Sequence, residues 1–168
     1  METAVLVPVA EYLSTSYEPD CDYVEGTLLE RNVGEKDHNK IQKKLLLYFG
    51  VREKEWGIYV IQEHRIQISP TRSRIPDLCV YPGQDPQEQT FTTPPFLCVE
   101  VLSPEDRMSR MLEKIRDFLD FGVRYVWVIE PRTRIAEVYT AAGSRRVTEG
   151  VLKTSEPEIS VPLQDLFG

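Results

Sequence analysis

The most informative segment of the sequence is Phe96-Leu97-Cys98-Val99-Glu100-Val101-Leu102, because it places one carboxylate inside a run of apolar residues. Such a run is typical of a strand that is buried on both faces of a sheet. An ionised glutamate in that position costs several kcal/mol unless a cation or hydrogen-bond donors compensate it. The segment therefore predicts a central strand and a polar site at the same place.

A second acid, Asp77, opens another apolar segment, Leu78-Cys79-Val80-Tyr81. Because side chains alternate along a strand, Asp77 shares a face with Cys79, and Glu100 shares one with Cys98. If the two strands are neighbours, both acids point to one spot at the end of the sheet. Adjacent carboxylates repel unless one is protonated or a cation lies between them. Mg2+ or Mn2+ suits such oxygen ligands, and we predict Asp77 and Glu100 as its ligands.

Both acids are also compatible with a purely structural role. A Pro-Asp pair before a strand is a common turn device. Glu100 could instead form a buried ion pair with Lys114 or with an arginine, without any metal.

Length and charge restrict the class of protein. The chain has 168 residues, of which 41% are hydrophobic, which predicts a single domain over residues 1–168. Its formal net charge of -7 argues against binding nucleic acid by bulk electrostatics. A nuclease remains compatible with this charge, because metal ions supply local positive charge.

The cysteines and the first ten residues indicate the compartment. Cys21, Cys79 and Cys98 form no zinc pattern with the two histidines, and we expect reduced core residues in a cytoplasmic protein. Residues 1–10 include Glu2 and Pro8 and lack a basic leader. We therefore expect neither a signal peptide nor a membrane span.

Periodicity and turn residues predict an α/β fold with a mixed central sheet between helices. The predicted helices cover residues 8–14, 38–54 (capped by Asp37) and 105–121. The predicted strands cover residues 23–31 (a strand pair or a bent strand, with a turn or bulge at Gly26), 58–69, 77–81, 96–102, 125–129 and 135–139, with shorter ones near 145–153 and 158–163. Residues 159–167 could belong to the core or to an interface.

Phosphodiester hydrolysis needs a cation near the attacking water or the phosphate in addition to a metal ion. A lysine two positions after Glu100 would serve, but that position is Leu102. Lys114 is the best replacement, because it lies at the border of the apolar stripe of its helix and a lysine can bury its stem there. That stripe consists of Met108, Met111, Leu112, Ile115, Phe118 and Leu119.

Two further side chains are candidates for the site. His38 lies near the centre of the apolar stripe of the earlier helix, where a core histidine and a ligand or proton carrier are equally compatible with the pattern. Glu25, beside Gly26, is another carboxylate that could bind the metal. Arg65, Arg72 and Arg74 form a basic segment that could contact phosphates or be a solvated face.

Five segments together resemble the Uma-two family, which is assigned to the PD-(D/E)XK nuclease superfamily. They are DYVEG, DHNKIQKKL, RIPDLCVY, LCVEVLSPEDR and EKIRDFLDFGVRYVWVIEP, and they run from about Glu11 to Tyr139. The resemblance implies a restriction endonuclease-like core, an αβββαβ arrangement, and Mg2+-dependent attack on DNA.

By matching positions, the resemblance implies that Asp77 and Glu100 are the metal-binding acids. It implies that Lys114 is the catalytic lysine, displaced onto the helix, and that His38 is the family's helix histidine. Glu25 matches an acid before glycine. Because the chain lacks the strand lysine at position 102, the role of Lys114 stays open.

The function predicted from these residues is a metal-dependent endonuclease that hydrolyses DNA phosphodiester bonds, with Mg2+ or Mn2+ as cofactor. One alternative is a catalytically silent nucleic-acid-binding or regulatory module of the same fold. Another is a structural protein whose acids pair with Lys114 and Arg65. Many proteins of this fold form two-fold dimers, which keeps a homodimer open.

Overall fold

The structure is a computed structural model that describes residues 5–31 and 35–168. Its α-helices are α1 (Val9–Leu13), α2 (Lys36–Gly50), α3 (Glu53–Trp56) and α4 (Met108–Phe121), and Leu163–Leu166 form a short 3-10 helix. Its strands are β1 (Cys21–Val24), β2 (Thr27–Glu30), β3 (Ile58–Gln62), β4 (Ile66–Ser69), β5 (Arg72–Arg74), β6 (Leu78–Pro82), β7 (Leu97–Val101), β8 (Tyr125–Glu130), β9 (Ile135–Thr140), β10 (Gly143–Val147), β11 (Val151–Thr154) and β12 (Ile159–Pro162).

Six strands form the central sheet in the order β10-β9-β8-β7-β6-β3. The β7–β8 pair is parallel and the other neighbours are antiparallel, so the sheet is mixed. Parallel neighbours need a crossover connection, and α4 lies within it. The elements α2, β3, β6, β7, α4 and β8 follow one another in the αβββαβ order. The predicted fold class is confirmed.

A helix covers each face of this sheet. The buried side chains of α2, Ile41, Leu45 and Phe49, belong to one core cluster together with alternate side chains of β7 and with Trp127. Those of α4 belong to a second cluster, which includes Cys98 and Cys79. The alternation along β7 therefore directs Glu100 to the α4 side.

Two smaller sheets complete the described part of the chain. One has the order β2-β1-β5-β4, and the other pairs β11 with β12. β1 and β2 form a hairpin whose two turn residues, Glu25 and Gly26, both have positive φ, as a tight hairpin turn requires. Ile159, Val161, Leu163 and Leu166 are buried in the α2-side cluster, and Phe167 packs against it, so the apolar side chains of residues 159–167 contribute to the core.

Several predicted boundaries are wrong. The second predicted helix begins at Lys36 with Glu35 as its N-cap, so Asp37 lies inside the helix and caps nothing. The predicted strand over 58–69 is two strands in different sheets, because the backbone of Glu63 has a φ of 48° and redirects the chain. The third predicted helix begins at Met108, three residues later than expected.

No helix within the described residues is both long enough and apolar enough to span a membrane. Cys21, Cys79 and Cys98 are free and buried, as expected for core thiols.

We expect Phe49→Ala to lower the free energy of unfolding by about 3–5 kcal/mol, because it leaves a cavity where a large ring was buried. Phe49 is 0% exposed, and its ring centroid lies 6.2 Å from that of Trp127. Leu47→Ala on the same helix is the control. Leu47 is 57% exposed, so a change of about 0.5 kcal/mol or less is expected. Urea denaturation measures both, and equal losses would contradict the assignment of the core face of α2.

Candidate active site

The two predicted acids face each other at the ends of neighbouring strands. β6 pairs with β7 in antiparallel register, with Leu78 opposite Val99. Continuing this register by one step places Asp77 opposite Glu100. The exposed fractions are only 4% for Asp77 and 3% for Glu100. Both acids therefore need partners from the protein.

Three groups compensate Asp77. Its Oδ2 accepts a hydrogen bond from the backbone N–H of Val101 at 2.7 Å and lies 3.2 Å from His38 Nε2. Its Oδ1 accepts one from Arg31 Nη2 at 3.0 Å. Burial by itself raises the pKa of Asp77, but the hydrogen bond and charge of His38, with the Lys114 charge and the Val101 N–H, outweigh it and lower the pKa. Asp77 is therefore an ionised carboxylate at neutral pH.

Lys114 compensates Glu100 only in part. Its Nζ lies 2.9 Å from Glu100 Oε1, and no other donor reaches this buried oxygen within residues 5–31 and 35–168. Burial raises the pKa of Glu100 to about 8, and the nearby Lys114 charge limits the rise. Glu100 is thus largely protonated at neutral pH without a metal ion.

Lys114 itself stays charged. It donates a hydrogen bond to the carbonyl of Ile75 at 2.7 Å, and Asp22 Oδ2 lies 3.6 Å from its Nζ. Burial lowers the pKa of Lys114, but the acids around it, Asp22 first among them, outweigh that effect and raise it. A buried ammonium is therefore fixed beside the two acids.

The buried side chains of α4 are Met111, Lys114, Ile115 and Phe118, so the lysine buries its stem beside the apolar stripe and its ammonium reaches Glu100. Met108, a predicted member of the stripe, is 51% exposed. The ion pairs of Lys114 with Asp22 and Glu100 make its burial tolerable.

His38 lies in the first turn of α2 and is buried as expected. Its Nδ1 lies 3.3 Å from Asn39 Oδ1, while Nε2 faces Asp77. Burial lowers the pKa of His38, but the hydrogen bond and charge of Asp77 raise it above the ordinary value. Through the contact of Nε2 with Oδ2, His38 holds the Asp77 carboxylate in place.

Glu25 is not brought to these residues. It occupies the turn between β1 and β2, its side chain is 57% exposed, and its carboxylate accepts a hydrogen bond from Arg72 Nε at 3.1 Å. The turn projects Glu25 to the surface, where Arg72 neutralises it.

Asp22 is the acid of this hairpin that reaches the site, and sequence reasoning missed it. It is buried, its Oδ1 accepts the Ile75 N–H at 3.0 Å, and its Oδ2 accepts Arg74 Nη1 at 3.3 Å. The signal was present in the sequence: Asp22 stands between Cys21 and Tyr23 in a strand, as Glu100 stands between valines. Arg31, which holds Asp77, was also missed.

The arginines considered as phosphate contacts are ion-paired. Arg72 Nη1 and Arg74 Nε donate to Asp117 at 2.9 and 2.8 Å. Arg65 donates to both oxygens of Asp20 at 2.6 and 2.7 Å. Arg65 therefore does not pair with the acids of the site, contrary to the structural alternative.

A cavity of about 290 Å3 opens over these groups. Its walls include seven buried or half-buried charged residues, Asp22, Arg31, His38, Arg74, Asp77, Glu100 and Lys114. They also include exposed residues from the β7–α4 connection and the start of α4, Glu105, Arg107 and Arg110. The site is thus buried at its base and open to solvent.

The donor set fits a hard divalent cation that keeps most of its waters. Within the described residues no three histidine, cysteine or acidic side chains are grouped as in a closed metal site. Mg2+ needs only one or two protein carboxylates, and Asp77 and Glu100 supply that number. Glu100 Oε1, buried without a hydrogen bond, is the oxygen that such a cation would satisfy.

Comparisons with known proteins agree with this fold. A family model described as "Putative restriction endonuclease" matches residues 9–166. In structure, the chain is similar to a crystal structure described as "a putative nuclease belonging to DUF820 from Anabaena variabilis ATCC 29413". The TM-score is 0.81 at 21% identity, and the match covers 96% of this chain and 97% of that chain. At this identity the likeness shows the fold alone.

A second structure, the DrdV–DNA complex, matches 67% of this chain and 12% of that chain at 16% identity. Its TM-score of 0.38 is too low to support any conclusion. No curated protein matches the sequence.

We expect the stability difference between the wild type and Glu100→Gln to depend on pH when EDTA is present. The unfolded chain releases the Glu100 proton near the ordinary pKa of 4.5, whereas the folded protein keeps it to about 8. Raising the pH between these values therefore favours unfolding of the wild type, by up to about 1.4 kcal/mol per pH unit. Glutamine lacks this proton, so Glu100→Gln gains relative stability from about pH 5 to about pH 8.

Urea denaturation at a series of pH values measures this difference. Glu105→Gln, which removes an exposed acid that lines the same cavity, is the control for the loss of one carboxylate near the site. A difference for Glu100→Gln that is flat with pH would show that Glu100 is ionised in the metal-free protein.

Proposed function

The chain belongs to the Uma2 family of restriction endonuclease-like proteins, and we propose that it is a divalent-metal-dependent nuclease that hydrolyses phosphodiester bonds of DNA. One observation carries this proposal: two buried acids face each other at the ends of β6 and β7, with an ammonium 2.9 Å from one of them and an open cavity above. Burying these charges together is costly, and a catalytic site is where such a cost is expected.

Asp77 and Glu100 would hold the cation, Mg2+ or Mn2+, each through a carboxylate oxygen. When bound, this cation supplies positive charge against the phosphate and lowers the pKa of an attacking water. Glu100 must lose its proton to serve as a ligand, because only the ionised carboxylate binds a cation strongly.

Lys114 is proposed as the catalytic cation of the protein. Its Nζ is held by the Ile75 carbonyl and by the charge of Asp22, so it stays protonated in the buried site. A fixed ammonium stabilises negative charge that develops on the phosphate without reorganising at the moment of reaction. This role does not require the lysine to stand at position 102.

His38 and Arg31 are proposed as positioning residues. His38 Nε2 faces Oδ2 of Asp77, and Arg31 Nη2 donates to Oδ1, so the carboxylate is held from both sides. Fixing Asp77 in this way pre-organises its oxygens toward the cavity.

We propose that the protein is located in the cytoplasm, because three buried cysteines suit a reducing compartment.

The silent-module alternative has its own supporting observation. Asp77 already has three partners, and the described residues contain no closed metal site. Such a protein would keep the charged cavity for binding or regulation and would lack turnover.

We expect the purified protein to cleave plasmid DNA with Mg2+ or Mn2+, and Asp77→Asn, Glu100→Gln and Lys114→Met each to lower the rate by about 100-fold or more. Agarose-gel assays of supercoiled plasmid measure the rates. Glu25→Gln is the control, because its carboxylate lies outside the cavity, and it should cleave at the wild-type rate.

Calorimetric titration with Mn2+ separates the alternatives. Binding that requires Asp77 and Glu100 but is not accompanied by cleavage favours the silent module. Cleavage that survives Asp77→Asn and Glu100→Gln shows that the acids are not the metal ligands. If neither Mn2+ binding nor cleavage occurs, the acids belong to a structural ion-pair network.

A further inference from the structure

Three cations lie along one side of the start of α4. Arg107 directly precedes the helix, Arg110 is in its first turn, and Lys114 follows four residues later. Residues three and four apart lie on the same side of a helix. All three side chains line the cavity over Asp77 and Glu100. We call Arg107, Arg110 and Lys114 the α4 basic stripe.

The two arginines of this stripe differ from the other arginines near the site. Arg31, Arg72 and Arg74 all form ion pairs with acids inside the protein. Arg107 and Arg110 are exposed, and neither has an ion pair within residues 5–31 and 35–168. Two permanent positive charges therefore stand at the mouth of the cavity without an internal counterion.

We propose that Arg107 and Arg110 bind backbone phosphates of the nucleic acid next to the bond that Lys114 and the two acids address. This inference rests on the proposed function, and it names the contacts that would hold the substrate. A guanidinium matches a phosphate through two parallel hydrogen bonds and stays charged at all working pH values. Neither arginine contacts the acids of the site, so both are free for this task.

The spacing of the stripe suits a nucleic acid strand. An α-helix rises about 1.5 Å per residue, so Arg110 lies about 6 Å and Arg107 about 10 Å from Lys114 along the axis. One strand of a duplex carries a phosphate every ~3.4 Å of axis. The stripe is therefore about three phosphate spacings long, with the buried ammonium at its inner end.

The stripe also reconciles substrate binding with the net charge of -7. Glu105 and Asp106 line the same cavity, so the mouth has no broad positive field. Binding then depends on a few local contacts, which predicts modest affinity and a shallow dependence on salt concentration.

Fluorescence anisotropy with a labelled DNA duplex tests the stripe. Wild type, Arg107→Ala, Arg110→Ala and the double variant are titrated over a series of salt concentrations, once with EDTA and once with Ca2+. Each lost phosphate contact lowers the slope of log K against log salt by about 1. We expect the double variant to bind about 10-fold or more weakly at low salt and to lose about 2 from that slope.

Arg116→Ala is the matched control. Arg116 is an exposed arginine on the same helix that does not line the cavity, and nine residues after Arg107 it lies on the opposite side of α4. Arg116→Ala changes the net charge by the same amount as Arg107→Ala or Arg110→Ala alone. The affinity of Arg116→Ala for the duplex should therefore stay within about 2-fold of the wild-type affinity.

The outcomes separate the two proposals. If the wild type cleaves DNA and the double variant binds DNA as tightly as Arg116→Ala does, Arg107 and Arg110 do not bind phosphates and the nuclease assignment stands. If DNA binds through Arg107 and Arg110 without cleavage in Mn2+, the stripe is supported and the catalytic proposal fails. If wild type neither binds nor cleaves DNA, both proposals are overturned.

Discussion

The site depends on one constraint: the charges of two facing buried carboxyl groups must be compensated by other groups of the protein. Asp77 and Glu100 lie at the ends of neighbouring strands, and neither can be ionised there unaided. The compensating groups come from separate parts of the chain: Arg31 follows β2, His38 begins α2, and Lys114 lies on α4. The central sheet fixes the acids, and the helices on its two faces bring the cations to them.

The opposite pKa shifts of the two acids follow from this arrangement. Asp77 has a hydrogen-bond donor or cation at each oxygen, so its carboxylate is stabilised. Glu100 has Lys114 beside one oxygen, and the effect of burial on its pKa dominates. One ionised and one protonated carboxyl therefore stand face to face. This combination avoids repulsion in the metal-free protein and leaves one oxygen that a divalent cation would satisfy.

Local sequence patterns predicted the strands that hold Asp77 and Glu100 and the helices that hold Lys114 and His38, because burial and periodicity are local signals. They did not predict Asp22 at the site, since β1 reaches it by pairing with β5, about fifty residues away in sequence. The split between β3 and β4 was missed for a different reason. The positive φ of Glu63 is a backbone conformation that the alternation of polar and apolar residues does not predict.

The link between the small sheet and α4 affects how the protein can be divided. Arg72 and Arg74 of β5 donate hydrogen bonds to Asp117, which lies one turn beyond Lys114. Asp22 of β1 forms an ion pair with the Lys114 ammonium. The amino-terminal hairpin is thus an integral part of the candidate site. A trimmed fragment that kept only α2, the six-stranded sheet and α4 would lose the anchors that orient Lys114. Such a minimal version would be a misleading reagent for enzymology.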